Sequence, residues 1–100
     1  MLTIKHTDRF QHWYLQLADG VARQRIHAQI TQTRHRNVID WRSLGDGVFE
    51  LRCGPAHRVY LSRPVEETVV LLLGGDKATH TRDIFFAKRL AKSIRRTYED

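Results

Sequence analysis

Val48-Phe49-Glu50-Leu51-Arg52-Cys53, the turn Gly54-Pro55-Ala56, and His57-Arg58-Val59-Tyr60-Leu61-Ser62 read as two strands folded back on each other. In the first strand Phe49 and Leu51 alternate with Glu50 and Arg52, so one face is apolar and the other charged. In the second, Val59 and Leu61 alternate with Arg58 and Tyr60. Collecting the apolar groups on one face requires Leu51 to pair with Val59 and Phe49 with Leu61. A slip of one residue would turn every side chain of one strand over and bury charge. The same register sets Arg52 opposite Arg58 and Glu50 opposite Tyr60, and leaves His57 on the apolar side with Cys53.

Outward from this hairpin the pattern changes twice. Toward the N-terminus, Val38 to Arg42 reads as a further strand, with Asp46-Gly47 as a turn signal before Val48. Before it come two helices. Phe10, Trp13, Tyr14 and Leu17 lie at i, i+3, i+4 and i+7 behind a Thr7 or Asp8 cap, and Asp19-Gly20 marks the stop. Ala22, Ile26 and Ile30 stripe the second helix, with Arg23, Arg25, Arg34 and Arg36 off the stripe, so the pair reads as a helical hairpin on a sheet. Leu2 to His6 alternates as an edge strand.

Toward the C-terminus, Pro64 closes the returning strand, and Thr68 to Gly74 runs without polar alternation, as a strand covered on both faces does. Gly74-Gly75-Asp76-Lys77 breaks it. Thr79 or Thr81 caps a last helix striped by Ile84, Ala87, Ala91, Ile94 and Tyr98 and otherwise ringed by Arg82, Lys88, Arg89, Lys92, Arg95 and Arg96. The order β-α-α-β-β-β-β-α predicts one α+β domain over residues 1–100, with a mostly antiparallel sheet.

Composition narrows the partners. Among 100 residues, 41% are hydrophobic and 28% charged, which fits a globular chain and excludes a disordered one. The longest apolar run, Val69 to Leu73, is too short to span a bilayer, and the N-terminus lacks a signal-peptide layout, so a cytoplasmic protein without membrane contact is expected. One cysteine, Cys53, and scattered histidines give no disulfide and no metal set. No cofactor is expected. The formal charge is +6, and 13 of the 17 basic residues are Arg. Arginine's planar fork matches phosphate, which points to nucleic acid; an acidic protein partner is the alternative.

Two segments could carry chemistry. Arg52 and Arg58 face each other and should repel, so either Glu50 offsets them in a salt-bridge ladder on an exposed face, or they clamp a phosphate. Gly74-Gly75-Asp76-Lys77-Ala78-Thr79-His80 joins a central strand to a helix start and could receive an anion, or could be a plain capped turn. His6, His12, His27 and His35 read as surface or packing residues, and the aromatic stripe of the first helix as core.

Gly47-Val48-Phe49-Glu50-Leu51-Arg52, Gly54-Pro55-Ala56-His57-Arg58-Val59-Tyr60, Val70-Leu71-Leu72-Leu73-Gly74-Gly75-Asp76-Lys77-Ala78-Thr79 and Arg82-Asp83-Ile84 together resemble the RelE/ParE toxin superfamily. The similarity is to its short HigB-like branch, the addiction module killer proteins of type II toxin–antitoxin systems, and runs from about Ile4 to about Leu90. The resemblance implies a RelE-like fold, a curved antiparallel sheet with an N-terminal helical hairpin and a C-terminal helix. It also implies an enzyme, a metal-free endoribonuclease that cuts mRNA on the ribosome and inhibits translation, with the substrate 2′-hydroxyl as nucleophile. By position, Arg52, Arg58 and Lys77 match basic site residues, with charge stabilisation of the phosphorane as their role. Glu50 is then a candidate base, and His80 or Tyr60 a candidate acid. Arg82, Lys88, Arg89 and Lys92 are candidate RNA contacts. The implied partners are a cognate antitoxin of helix-turn-helix type, the ribosome with its mRNA, and operator DNA only through the antitoxin complex. The chain departs from the pattern in a shorter hairpin turn, in His57 where Tyr is usual, and in His80 where Gln is usual. The superfamily also holds gyrase poisons that cut no RNA, and a basic repressor partner is a further alternative.

Overall fold

The computed structural model describes residues 2–35 and 41–99. They build an α+β domain of five strands, three α-helices and one short 3₁₀ turn. The elements are β1 (Thr3–His6), α1 (Asp8–Leu15), α2 (Gly20–Arg34), β2 (Trp41–Gly45), β3 (Val48–Cys53), β4 (His57–Val65), β5 (Thr68–Asp76), the 3₁₀ turn Lys77–Thr79, and α3 (His80–Tyr98). Arg36 and positions 38–40 of the expected strand lie outside the described residues.

The strand order is β1-β5-β4-β3-β2. β2 to β5 form an antiparallel meander, but β1 lies parallel to β5 with Thr3 beside Thr68 and His6 beside Leu71. The sheet is mostly antiparallel, as expected, in three of its four strand pairings; the parallel β1 makes it mixed, which the expectation did not include. α1 and α2 carry the chain from one sheet edge to the other, and β1 comes to rest along β5 in the same direction. That direction is set by the long crossover, which strand patterning does not report. β5 is an interior strand, as its unbroken apolar run requires.

The hairpin register is the one that alternation demands: Leu51 pairs with Val59, Phe49 with Leu61, Arg52 with Arg58, and Glu50 with Tyr60. On one face Leu51, Cys53, Val59, Leu61, Val69 and Leu71 pack with Phe10 and Ile26 of the first two helices. α1 lies over β5 and α2 over β3, so the two helices spread across the sheet. On the other face Val48, Tyr60, Val70, Leu72 and Leu73 pack under Ala87 and Ala91 of α3. Two apolar layers sandwich the sheet.

Several local expectations need correction. β4 continues through Pro64 to Val65, past a ladder irregularity between Ser62 and Val65 that tolerates a residue without an N–H. α1 ends at Leu15, and Asp19 instead caps α2 by accepting from the Val21 and Ala22 amides. Gly74 and Gly75 stay within β5, without positive φ. They are glycines because a Cβ on Gly74 would run into the six-membered ring of Trp13, and one on Gly75 into the Asp83 carboxylate. The turn after them is capped by Asp76, which accepts from Ala78 and Thr79. Thr79 holds the N-cap position of α3 but makes no capping bond there.

Candidate active site

Alternation puts Glu50, Arg52, Arg58, Tyr60 and Ser62 on the α3 side of the sheet. The helix covers this face only in part, and its edge sorts the residues. Tyr60 and Ser62 are enclosed, Arg58 is 7% exposed and Glu50 2%, whereas Arg52 stays in solvent. α3 places His80 at its first residue, where Nε2 lies 2.9 Å from Glu50 Oε2. Arg58 Nε approaches the same oxygen at 3.6 Å, an ionic contact beyond hydrogen-bond length. Oε2 thus takes both partners, and Oε1 has none among the described residues.

A groove of about 430 Å³ opens on this carboxylate, lined by Arg42, Glu50, Arg52 and Gly54. Arg42 is the cross-strand neighbour of Glu50 on β2. One carboxylate therefore sits among Arg42, Arg52, Arg58 and His80, and the local field is positive. An anion entering the groove meets two solvent-facing guanidinium forks above a buried, fixed carboxylate.

The site candidates sort accordingly. Glu50, Arg52, Arg58, Tyr60 and His80 are brought together. Arg52 and Arg58 are cross-strand partners, but Arg58 turns to Glu50 beneath α3, and Arg42 is the groove's second arginine. The exposed ladder is not what forms either, because Glu50 and Arg58 are buried. Tyr60 lies beside His80, with ring centroids 6.5 Å apart and the planes tilted by 30°. Its hydroxyl is enclosed and without a hydrogen-bond partner. Burial, then the Glu50, Asp83 and Asp76 charges, push its pKa upward against the pull of Arg58, so it stays protonated and packs. Lys77 is exposed on the 3₁₀ turn and lines neither this groove nor the concavity around Gly75. Lys88, Arg89 and Lys92 gather with Phe85 and Arg95 along a second groove of about 290 Å³ on α3, where Lys88 meets Asp46 at 3.4 Å. Arg82 stands at the other end of the helix, 3.6 Å from Asp83.

Sequence reasoning passes over two residues. Arg42 was detectable, since pairing Trp41 with Leu51 puts Arg42 beside Glu50. Asp83, 2% exposed, accepts a 2.5 Å hydrogen bond from Thr79 and fills the space above Gly75; only the bare glycine hints at it. His57 lies on the opposite face against Trp13, with ring centroids 6.3 Å apart. Burial pushes the Cys53 thiol up to about 12, which makes it a poor nucleophile. His6, His12, His27 and His35 are exposed. Among the described residues no three His, Cys, Asp or Glu side chains are placed to share a metal ion, and no helix is long and apolar enough to cross a membrane.

No family model matches the chain. An uncharacterized protein of Haemophilus influenzae is 40% identical over 95 residues, a match covering 93% of this chain and 96% of the relative. The chain belongs to the same family as that protein.

Proposed function

We propose that the protein is a HigB-like toxin of a type II toxin–antitoxin pair, with a RelE-like fold, and that it cleaves mRNA on the ribosome without a metal. The observation that carries this reading is Glu50, bonded to His80, at the floor of a groove walled by Arg42 and Arg52. A DNA gyrase binder or a repressor partner has no use for a buried carboxylate held on one oxygen beneath two arginines. Phosphoryl transfer to a 2′-hydroxyl uses each part.

In the proposed reaction Glu50 Oε1 takes the 2′-hydroxyl proton as O2′ bonds to phosphorus and the bond from phosphorus to O5′ breaks. Arg42 and Arg52 bind the non-bridging oxygens as charge builds on them. Arg58 keeps Glu50 aimed from below. His80 fixes Oε2 through Nε2 and gives its own Nδ1 proton to the leaving O5′, while Glu50 keeps the proton from O2′ until solvent carries it away and reprotonates His80. The products are a 2′,3′-cyclic phosphate and a 5′-hydroxyl. A cytoplasmic toxin of this kind needs an antitoxin, of helix-turn-helix type, that also carries the complex to operator DNA.

Incubating the purified protein with translating ribosomes and mapping mRNA 5′ ends tests the reading. Cuts bearing 5′-hydroxyl ends are expected, surviving chelator once the ribosomes' own magnesium requirement is controlled for, and lost in Glu50→Gln. Products bearing 3′-hydroxyl ends would refute the mechanism, and uncut mRNA would refute the nuclease.

A further inference from the structure

Around the same end of the sheet, on the face that carries α1, is a second concavity of about 240 Å³, whose lining includes Trp13, His57, Asp76 and Arg82. We infer that it takes one nucleobase of the RNA, next to the nucleotide held in the arginine groove, and that it selects a base bearing an exocyclic amino group. The position beside the cleavage site rests on the nuclease reading; the affinity for a nucleotide does not.

The walls suit a flat ring. Trp13 lays a face of its six-membered ring on Gly74, since a Cβ there would meet three of that ring's atoms at once. Phe10 braces it from within, centroid to centroid 5.8 Å. The tryptophan is thus a fixed wall of the concavity. The His57 ring stands at 59° to it and makes no hydrogen bond to any described residue, so its aromatic surface and nitrogens are available. Aromatic walls of this kind hold bases of any sequence by stacking.

The polar groups select. Asp76 spends Oδ1 on the Ala78 and Thr79 amides. Oδ2 has no partner among the described residues and, as a carboxylate oxygen, accepts, so it rewards an amino group and opposes a carbonyl oxygen. Arg82, with its side chain 63% exposed, supplies donors to a phosphate at the rim. In the ladder the row Cys53–His57–Asp76 adjoins the row Arg52–Arg58–Gly75. Arg52 is two strands from Gly75, or about 10 Å. That separation suits neighbouring nucleotides wrapped over the sheet end.

Trp41, far from this concavity against Phe49, is the other tryptophan, so Trp41→Phe leaves Trp13 as the single reporter. Titrating that variant with CMP and UMP should give saturable quenching by CMP and at least about 5-fold weaker binding of UMP. His57→Ala, checked by melting to be folded, should weaken CMP about 10-fold. In Asp76→Asn the side-chain oxygen can keep its cap and turn the amide nitrogen to the pocket, so the preference should swing to UMP. Absence of quenching, or CMP and UMP alike with Asp76→Asn unchanged, overturns the inference. CMP binding without mRNA cleavage would sink the nuclease and leave the pocket; cleavage without nucleotide binding would do the reverse.

Discussion

Arg52 and Arg58 face each other across one ladder, yet α3 covers only the second, and that difference sets opposite behaviours. Arg52 is exposed beside a like charge, so Arg52→Ala should leave stability within about 0.5 kcal/mol. Its loss should lower cleavage by about 10²-fold or more, as removal of a transition-state donor does. Arg58 is the buried partner of a buried carboxylate. Arg58→Ala leaves Glu50 with His80 alone and should cost about 3 kcal/mol of stability. Denaturant melts and cleavage assays on the two variants separate the roles. Equal stability losses would mean that Arg52 too is structural.

At the scale of elements, the hairpin register was legible because a one-residue error would have buried charge. The covering of its charged face was not legible. Glu50, Arg58, Tyr60 and Ser62 carry polar atoms and alternate as a solvent face does, but α3 needs a surface for Ala87 and Ala91, and this is the one opposite the first two helices. Alternation gives the period of a strand and not which face a later helix will cover. Arg42 is hidden for a related reason, since alternation marks its strand without giving that strand's partner. The twin glycines show the same limit. They resemble a turn in sequence, while the structure uses them as strand residues whose missing Cβ atoms admit Trp13 and Asp83. Gly75→Ala should therefore cost about 3 kcal/mol by forcing a buried carboxylate aside. Gly20→Ala, at the first residue of α2 with nothing near a new Cβ, should instead stabilise by about 0.5 kcal/mol. Were the two variants to melt alike, Gly75 would be an ordinary turn glycine and the placement of Asp83 would be wrong.

Across the whole molecule the charge of +6 is unevenly used. Arg42 and Arg52 flank the carboxylate, and Lys88, Arg89, Lys92 and Arg95 line the α3 groove, where Asp46 already offsets Lys88. A single-stranded RNA lying over both surfaces would displace counterions at each phosphate it hands to a cation. Engaging Arg42, Arg52, Arg89, Lys92 and Arg95 gives a log–log slope of affinity against salt of about −3.5. Replacing Arg89 and Lys92 together by Ala should bring that slope down by about 1.4, with no change in the cleavage rate of RNA already bound. Neither residue touches Glu50 or His80, so a fall in that rate would place the α3 face inside the reaction. Fluorescence anisotropy of a labelled oligonucleotide across a salt series measures the slope, and single-turnover cleavage at saturating protein measures the rate. A flat salt dependence would remove the phosphate-binding role from both grooves, and the positive field around Glu50 would then need a different anion to explain it.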